Sequence, residues 1–267
     1  MKVLVTRPEP QASQWSAALI QAGMDAMPLP LIEIQGPADP NAVTQCWAQL
    51  AQMRLIMFVS PASAKWFFQL RPSGAPWPAD TLAAAPGPGT AQAVQEAGAA
   101  SGLQIAAVIH PHEDAPQFDS EALWPLLSGM AWRNQHVTII SGGDALQSKG
   151  RAWLTEQLRA AGATVGAILT YQRLPACWTA DQSSAARTAL AHPDEHVWLF
   201  SSSESIDHLL QRFPTTQDWS GVRALVTHPK IGQRAHNAGF RQVIDTRPTL
   251  DSVVHTLRNL PCSQGQP

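Results

Sequence analysis

The sequence predicts an α/β protein with parallel sheets, built from two weakly similar halves. Three observations carry this. Apolar runs of strand length alternate with segments of helical period along the chain. The runs are continuous, as expected for strands buried on both faces, and their alternation with helices implies right-handed crossovers. Blocks of similar sequence recur in the same order in both halves. The active surface is expected in a cleft between two domains.

The elements follow in order. Val3–Val5 is a β-branched strand ending at Thr6-Arg7-Pro8. Ser13–Ile20 has helical spacing and stops at Gly23, a C′ glycine. Leu55–Ser60 reads as a buried strand and Ala62–Leu70 as the helix after it. Leu82–Ala85 is a short strand, Pro86-Gly87-Pro88-Gly89 a turn, and Thr90–Ala97 a helix ending at Gly98. Val137–Ile140 and Val165–Leu169 are strands around a helix at Ala152–Ala161. Val197–Ser201, Ala224–Thr227 and Val243–Asp245 are strands, with helices at Glu204–Arg212, Ile231–Ala238 and Asp251–Arg258. Leu29–Ile34 and Thr170–Leu174 stand outside this rhythm and read as extended connectors, paired with each other.

The internal similarity can be placed in register. LIMFVSPASAKWFFQL matches VWLFSSSESIDHLLQR, pairing Ser60 with Ser201 at an offset of 141. TAQAVQEAG matches IGQRAHNAG, pairing Gly98 with Gly239 at the same offset of 141. Asp119 pairs with Asp251 at 132, and Gly23 with Gly162 at 139. A period of one domain means duplication, not a solenoid.

The chain has 267 residues, enough for two domains at about 100–200 residues each. Charged residues are 14% and the net charge is −2, so the basic footprint of a nucleic-acid protein is missing. An anionic ligand must then be held by local groups. Cys46, Cys177 and Cys262 have no metal-ligand or CxxC spacing and read as thiols in a reducing compartment. No apolar run reaches the roughly 18 residues of a membrane helix, and the N-terminal run is too short for a signal peptide. The expectation is a cytoplasmic monomer with no membrane, nucleic acid, metal or cofactor. Residues 261–267 read as a flexible tail.

Ligands of open parallel sheets gather beyond the carboxyl ends of strands. The residues there are Thr6-Arg7, Ser60 with Ser63, Gly87 and Gly89 with Thr90, Ser141 with Gly142, Ser201-Ser202-Ser203, and Lys230 with Ile231. Small and hydroxyl residues at helix starts cap the helix, and they leave backbone N–H groups free for carboxylates. Any one such turn is explained by capping alone; six of them on a chain so poor in charge point to an anion-binding surface. The Gly87–Gly89 turn is neither a Walker A nor a GxGxxG motif, which disfavours nucleotides. His110 and His112 flank Pro111 in an acidic loop, for which a solvated turn is the simpler reading than a metal site. Tyr171 is the only tyrosine.

Together, VLVTRP, FVSPASAKWFF, GPGTAQAVQEAG, the strand leading to Tyr171, FSSSESIDHLL and THPKIGQRAHNAGF resemble the uroporphyrinogen-III synthase family, from about Lys2 to Leu260. The resemblance implies two flavodoxin-like or Rossmann-like parallel-sheet domains joined by a two-stranded hinge. The first domain would be discontinuous, 1–30 with 175–260; the second would be 36–168, and the hinge 31–35 with 169–174. It implies a cofactor-free lyase that cyclises hydroxymethylbilane, received from porphobilinogen deaminase, with inversion of ring D and loss of water. By position Tyr171 matches the family's proton donor, and Thr90 the threonine of its Gly-x-x-Thr-Ala turn. Arg7, Ser60, Ser63, Gly87, Gly89, Ser141, Gly142, Lys149, Ser201, Ser202, Ser203, Lys230 and Ile231 match substrate-binding turns. The chain departs from the pattern at Ile231, where many members have threonine, and at Ser141, where many have arginine. Lys149 or Arg151 in the longer loop after Ser141 is the candidate to supply that charge. The alternative is a non-catalytic binding or regulatory protein of the same fold; a nucleotide-sugar transferase is disfavoured by size and by the missing nucleotide motif.

Overall fold

The computed structural model describes residues 1–112, 114, 115, 117–143 and 149–260, without the side chains of 149–151. The predicted tail at 261–267 lies outside these residues. The strands are β1 Lys2–Val5, β2 Asp25–Pro28, β3 Ile32–Gln35, β4 Met53–Phe58, β5 Leu82–Ala84, β6 Val108–Ile109, β7 His136–Gly142, β8 Thr164–Pro175, β9 His196–Phe200, β10 Arg223–Val226 and β11 Gln242–Asp245. The helices are α1 Gln11–Gln21, α2 Asn41–Ala48, α3 Pro61–Gln69, α4 Pro88–Ala100, α5 Ser120–Leu127, α6 Lys149–Ala160, α7 Ala180–Ala191, α8 Ser203–Gln211, α9 Pro229–Asn237 and α10 Leu250–Arg258.

The chain divides into two compact units, Met1–Ile34 with the chain from Leu174 onward, and Gln35–Arg173. The backbone crosses between them twice, within β3 and within β8. The sheet orders are β11-β10-β9-β1-β2 and β3-β8-β7-β4-β5-β6. From β6 to β8 the second sheet repeats the order of the first, β6-β5-β4-β7-β8 against β11-β10-β9-β1-β2. Both follow the Rossmann order 3-2-1-4-5, with the switch point between β9 and β1 in one and between β4 and β7 in the other. The strand pairs in these shared parts are parallel.

Each sheet is buried on both faces. In the first unit Leu4, Trp198 and Phe200 face the core under α7, α8 and α9, while Val3, Val5 and Leu199 face α1 and α10. In the second, Ile56, Phe58 and Ile140 face α2, α3 and α4, while Leu55, Met57 and Ile139 face α5 and α6. Alternate side chains of one strand thus enter opposite cores, which is why the runs carry no polar alternation.

Several readings are corrected. Val165–Leu169 and Thr170–Leu174 are one twelve-residue strand, β8. In the first connector, Leu29 and Leu31 are core residues and only Ile32–Gln35 is strand. Ser60 and Ser202 are the equivalent N-caps of α3 and α8, an offset of 142 and not 141. Asp119 corresponds to the N-cap Thr249 and not to Asp251. Gly98 does not end α4, which runs on to Ala100; Gly102, at φ +71°, takes the place held by Gly239 at φ +97°. The sequence reading missed β2, β6, α2, α5 and α7, which are short, interrupted by Pro125, or, in α7, rich in alanine and serine with only Ala186 and Ala189 buried.

Gly98 lies mid-helix because Ile105 packs on it: a Cβ there would come within 2.6 Å of Ile105 Cγ1. Gly98→Ala is therefore expected to destabilise the second unit by about 1–2 kcal/mol in chemical denaturation, overpacking outweighing helix propensity. Ile105→Ala in the same background should recover part of the loss.

Candidate active site

In the second unit, the carboxyl ends of β4, β7 and β8 bring together Ser60, Ser63, Ser141, Gly142, Thr170 and Tyr171. Ser60 is the N-cap of α3 in extended conformation, with Pro61 at the first helical position. Its Oγ accepts the Ser63 N–H at 3.2 Å, and its own N–H donates to Ser63 Oγ at 3.1 Å, a reciprocal capping box. Ser60 Oγ lies 3.1 Å from the Tyr171 phenol oxygen.

Tyr171 is buried, 6% exposed, although it stands in the strand that leaves the unit. A bulge places it there. Ser141 pairs with Leu169 and Gly142 with Tyr171, so Thr170 has no partner across the ladder from β7. Thr170 is fully buried, with its hydroxyl 3.2 Å from the Ser141 carbonyl and 3.4 Å from that of Ser63. The tyrosine ring rests on Gly142, where a Cβ would come within 2.3 Å of ring carbons. Gly143, at φ +62°, donates its N–H to the Tyr171 carbonyl at 3.0 Å. Ser141 is the penultimate strand residue, not a turn; its Oγ is buried without a partner among the described residues.

Next to this cluster, β5 leads into α4. Gly87 is the N-cap, and Phe118 covers it closely enough, 2.8 Å from an added Cβ, to exclude any side chain. Gly89 and Thr90 follow as the second and third helical residues, whose N–H groups have no intrahelical acceptor. Space around Gly89 is open, with nothing within 4 Å of an added Cβ.

In the first unit the corresponding ends are β1, β9 and β10. Thr6 Oγ1 donates to the Leu199 carbonyl at 2.7 Å and ties β1 to β9. The Arg7 guanidinium stacks over Trp15 at 4.1 Å and reaches Gln11 Oε1 at 3.5 Å. Its Nε is buried without a partner among the described residues, and that burial lowers its pKa from the ordinary value. Ser202 caps α8 in position only: its side chain accepts no helix N–H, and Ser205 Oγ is buried without a partner among the described residues. Ser201 and Ser203 flank it, half-buried. At α9 the cap is His228, whose Nδ1 accepts the Lys230 N–H at 3.0 Å. Ile231 occupies the place of Thr90 and packs into the core, while Lys230 is exposed.

The sequence reading found both turns of each switch point. It placed Thr6 at the end of the first strand without giving it a role, and it missed the parts played by Thr170, Gly143, His228 and Phe118, which depend on register and packing. The Lys149 and Arg151 side chains lie outside the described residues. His112 lies 3.2 Å from Asp114, both well exposed. No group of three metal-ligating side chains occurs among the described residues. Burial pushes the Cys46 thiol up to about 11, so it stays protonated at neutral pH and is no nucleophile. Depressions of 520 Å³ beside Leu103 and Ile105 and 290 Å³ beside Lys2 and His196 lie away from these turns. No helix among the described residues is long and apolar enough to cross a membrane.

Rossmann-order sheets with serine-started helices at the switch points, and a glycine-started helix after the neighbouring strand β5, define an α/β protein that can hold anions on backbone amides. The family model described as uroporphyrinogen-III synthase HemD matches residues 13–255, and the chain belongs to that family of tetrapyrrole-biosynthetic lyases. A uroporphyrinogen-III synthase of Proteus mirabilis is 30% identical over 176 residues, covering 65% of this chain and 81% of that protein. The fold is shared with a uroporphyrinogen-III synthase from Helicobacter pylori, at TM-score 0.58, 14% identity and coverage of 97% of this chain and 99% of that one. A mutant of the Thermus thermophilus enzyme gives TM-score 0.55 and 16% identity over 97% of each chain.

The Gly142 contact is with ring carbons, not with the hydroxyl. Gly142→Ala is therefore expected to lower stability by about 1–3 kcal/mol. In double-mutant cycles read by thermal unfolding, Tyr171→Ala should show coupling to it of at least about 1 kcal/mol and Tyr171→Phe almost none.

Proposed function

We propose that the chain cyclises hydroxymethylbilane to uroporphyrinogen III, inverting ring D and releasing water. The observation that carries this reading is the family match over residues 13–255. The site chemistry agrees with it. The substrate is a flexible polycarboxylate, and its carboxylates suit the N–H groups of Gly89 and Thr90 at the start of α4 and of Ser203 and Ser205 at the start of α8. Arg7 adds a cation stacked on Trp15 just after β1, at the switch point between β1 and β9. We assign proton donation to Tyr171, a buried phenol at the carboxyl end of the sheet.

In the first step the C–O bond of the hydroxymethyl group breaks and its electron pair leaves with oxygen. The phenol proton of Tyr171 goes to that oxygen to form water, while the pyrrole nitrogen supplies electrons to the carbon left behind. The pyrrole that later closes the ring loses a proton on rearomatising, which replaces the one the phenol gave up. The main demand is orientation, since the closing ring must be held so that inversion outruns direct closure. Such a site needs fixed amides and hydroxyls more than a strong acid–base pair. The reading includes a monomer in the cytoplasm that receives its substrate from porphobilinogen deaminase.

Purified protein mixed with hydroxymethylbilane is expected to give the type III isomer on chromatography; type I product alone would refute the reading and favour a binding protein. Tyr171→Phe should lower turnover by about 100-fold, the low end for a general acid, with the unfolding temperature little changed. Wild-type turnover in the folded variant removes Tyr171 from the mechanism.

A further inference from the structure

The capping box of α3 has a hydrogen left over. The Ser63 N–H goes to Ser60 Oγ at 3.2 Å, and the Ser60 N–H goes to Ser63 Oγ at 3.1 Å. The Ser63 hydroxyl, fully buried, donates to the Ser60 carbonyl at 2.6 Å. Only the Ser60 hydroxyl hydrogen remains, and its one acceptor among the described residues is the Tyr171 phenol oxygen at 3.1 Å. If the phenol donated instead, Ser60 Oγ would accept twice and its own hydrogen would have no protein partner.

We propose that Ser60 is a positioning residue for Tyr171: its hydroxyl donates to the phenol oxygen and leaves the phenol's own hydrogen free for the substrate. The part played by the substrate rests on the function proposed above. Two lone pairs on the phenol oxygen allow this, one taking the Ser60 hydrogen while the O–H projects elsewhere. When the phenol gives up its proton, the oxygen becomes an anion already facing a donor, the arrangement that stabilises developing charge without reorganisation. The chain of polarity runs from the Ser63 N–H through Ser60 to Tyr171, so the start of α3 aligns the donor. Ring orientation is fixed separately by the Gly142 backbone.

The duplicated turn argues that this box is not a requirement of the fold. Ser202 and Ser205 stand at the same places on α8, yet among the described residues Ser202 makes no side-chain cap and Ser205 Oγ has no partner. The two serines close into a box in the unit whose sheet also carries the tyrosine. On this account the Ser60 hydroxyl is committed to Ser63 and Tyr171, and any carboxylate at this turn falls to backbone N–H groups.

Tyr171 is the only tyrosine in the chain, so a tyrosine vibrational signal reports on this phenol alone. Ultraviolet resonance Raman of the full-length protein reads, from the tyrosine Fermi doublet, whether the phenol oxygen accepts a hydrogen bond. Ser60→Ala is expected to shift the doublet away from the acceptor pattern and to lower turnover by about tenfold, as loss of a hydrogen bond to a charged oxygen implies. Ser60→Thr, which keeps hydroxyl and cap, should restore both. In a Tyr171→Phe background Ser60→Ala should cost nothing further in turnover. An unchanged doublet in folded Ser60→Ala, or an equal loss of turnover with and without the tyrosine hydroxyl, overturns the proposal. Should Ser60→Ala fail to fold, Ser60→Gly, a nearly equivalent N-cap, takes its place. The Raman result does not depend on the reaction, so absence of type III product from the wild type would sink the proposed function and leave the Ser60–Tyr171 contact separately judged.

Discussion

Thr170 has no partner across the ladder from β7, because Ser141 pairs with Leu169 and Gly142 with Tyr171. That one residue changes the phase of β8. In an unbroken strand Thr170 and Tyr171 would point to opposite faces; here both hydroxyls reach the start of α3, at Ser63 and Ser60. The threonine hydroxyl lies within reach of the Ser141 and Ser63 carbonyls. The tyrosine ring then lies where Gly142 has no side chain, and its hydroxyl reaches the cap of α3. Glycine at 142, the capping box and the bulge are one constraint seen from three elements.

The rest of the architecture repeats a single plan. Apart from the added edge strand β3, three strands from one repeat and two from the other make each sheet, in the same order. The switch point of each sheet therefore falls where strands of different repeats meet, β9 beside β1 and β4 beside β7. Helices that start there present amides, and Rossmann-order sheets generally take ligands at this position. The two switch points have diverged in chemistry. One carries Arg7 and a free serine turn, the other a closed serine box and a phenol. Thr90 keeps a hydroxyl at the start of α4, whereas Ile231 at the same place in α9 joins the core. A polyanionic substrate can be held this way by a chain with net charge −2.

Much of this was legible from residue type and order. Buried strands such as Leu55–Phe58 and Val197–Phe200 announce themselves as continuous apolar runs, and Gly23 marks a helix end through its positive φ. The serine and glycine turns were visible as well. Register was not. Ser60 matches Ser202 because both are N-caps, and a one-residue shift between two serine-rich turns leaves little trace in sequence. Gly98 reads as a helix end, yet it lies mid-helix for contact with Ile105, a packing reason invisible to local pattern. The bulge at Thr170 depends on pairing with β7, so no local signal places Tyr171 inward.

The central claim is that the phenol of Tyr171 faces the reacting substrate while helix N-termini hold the carboxylates. A crystal structure of this chain with bound uroporphyrinogen III tests it most directly. The account predicts product carboxylates on the N–H groups of Gly89 and Thr90, with the Tyr171 hydroxyl turned toward the macrocycle. Product bound elsewhere on either unit, with the phenol facing away from it, would contradict the account.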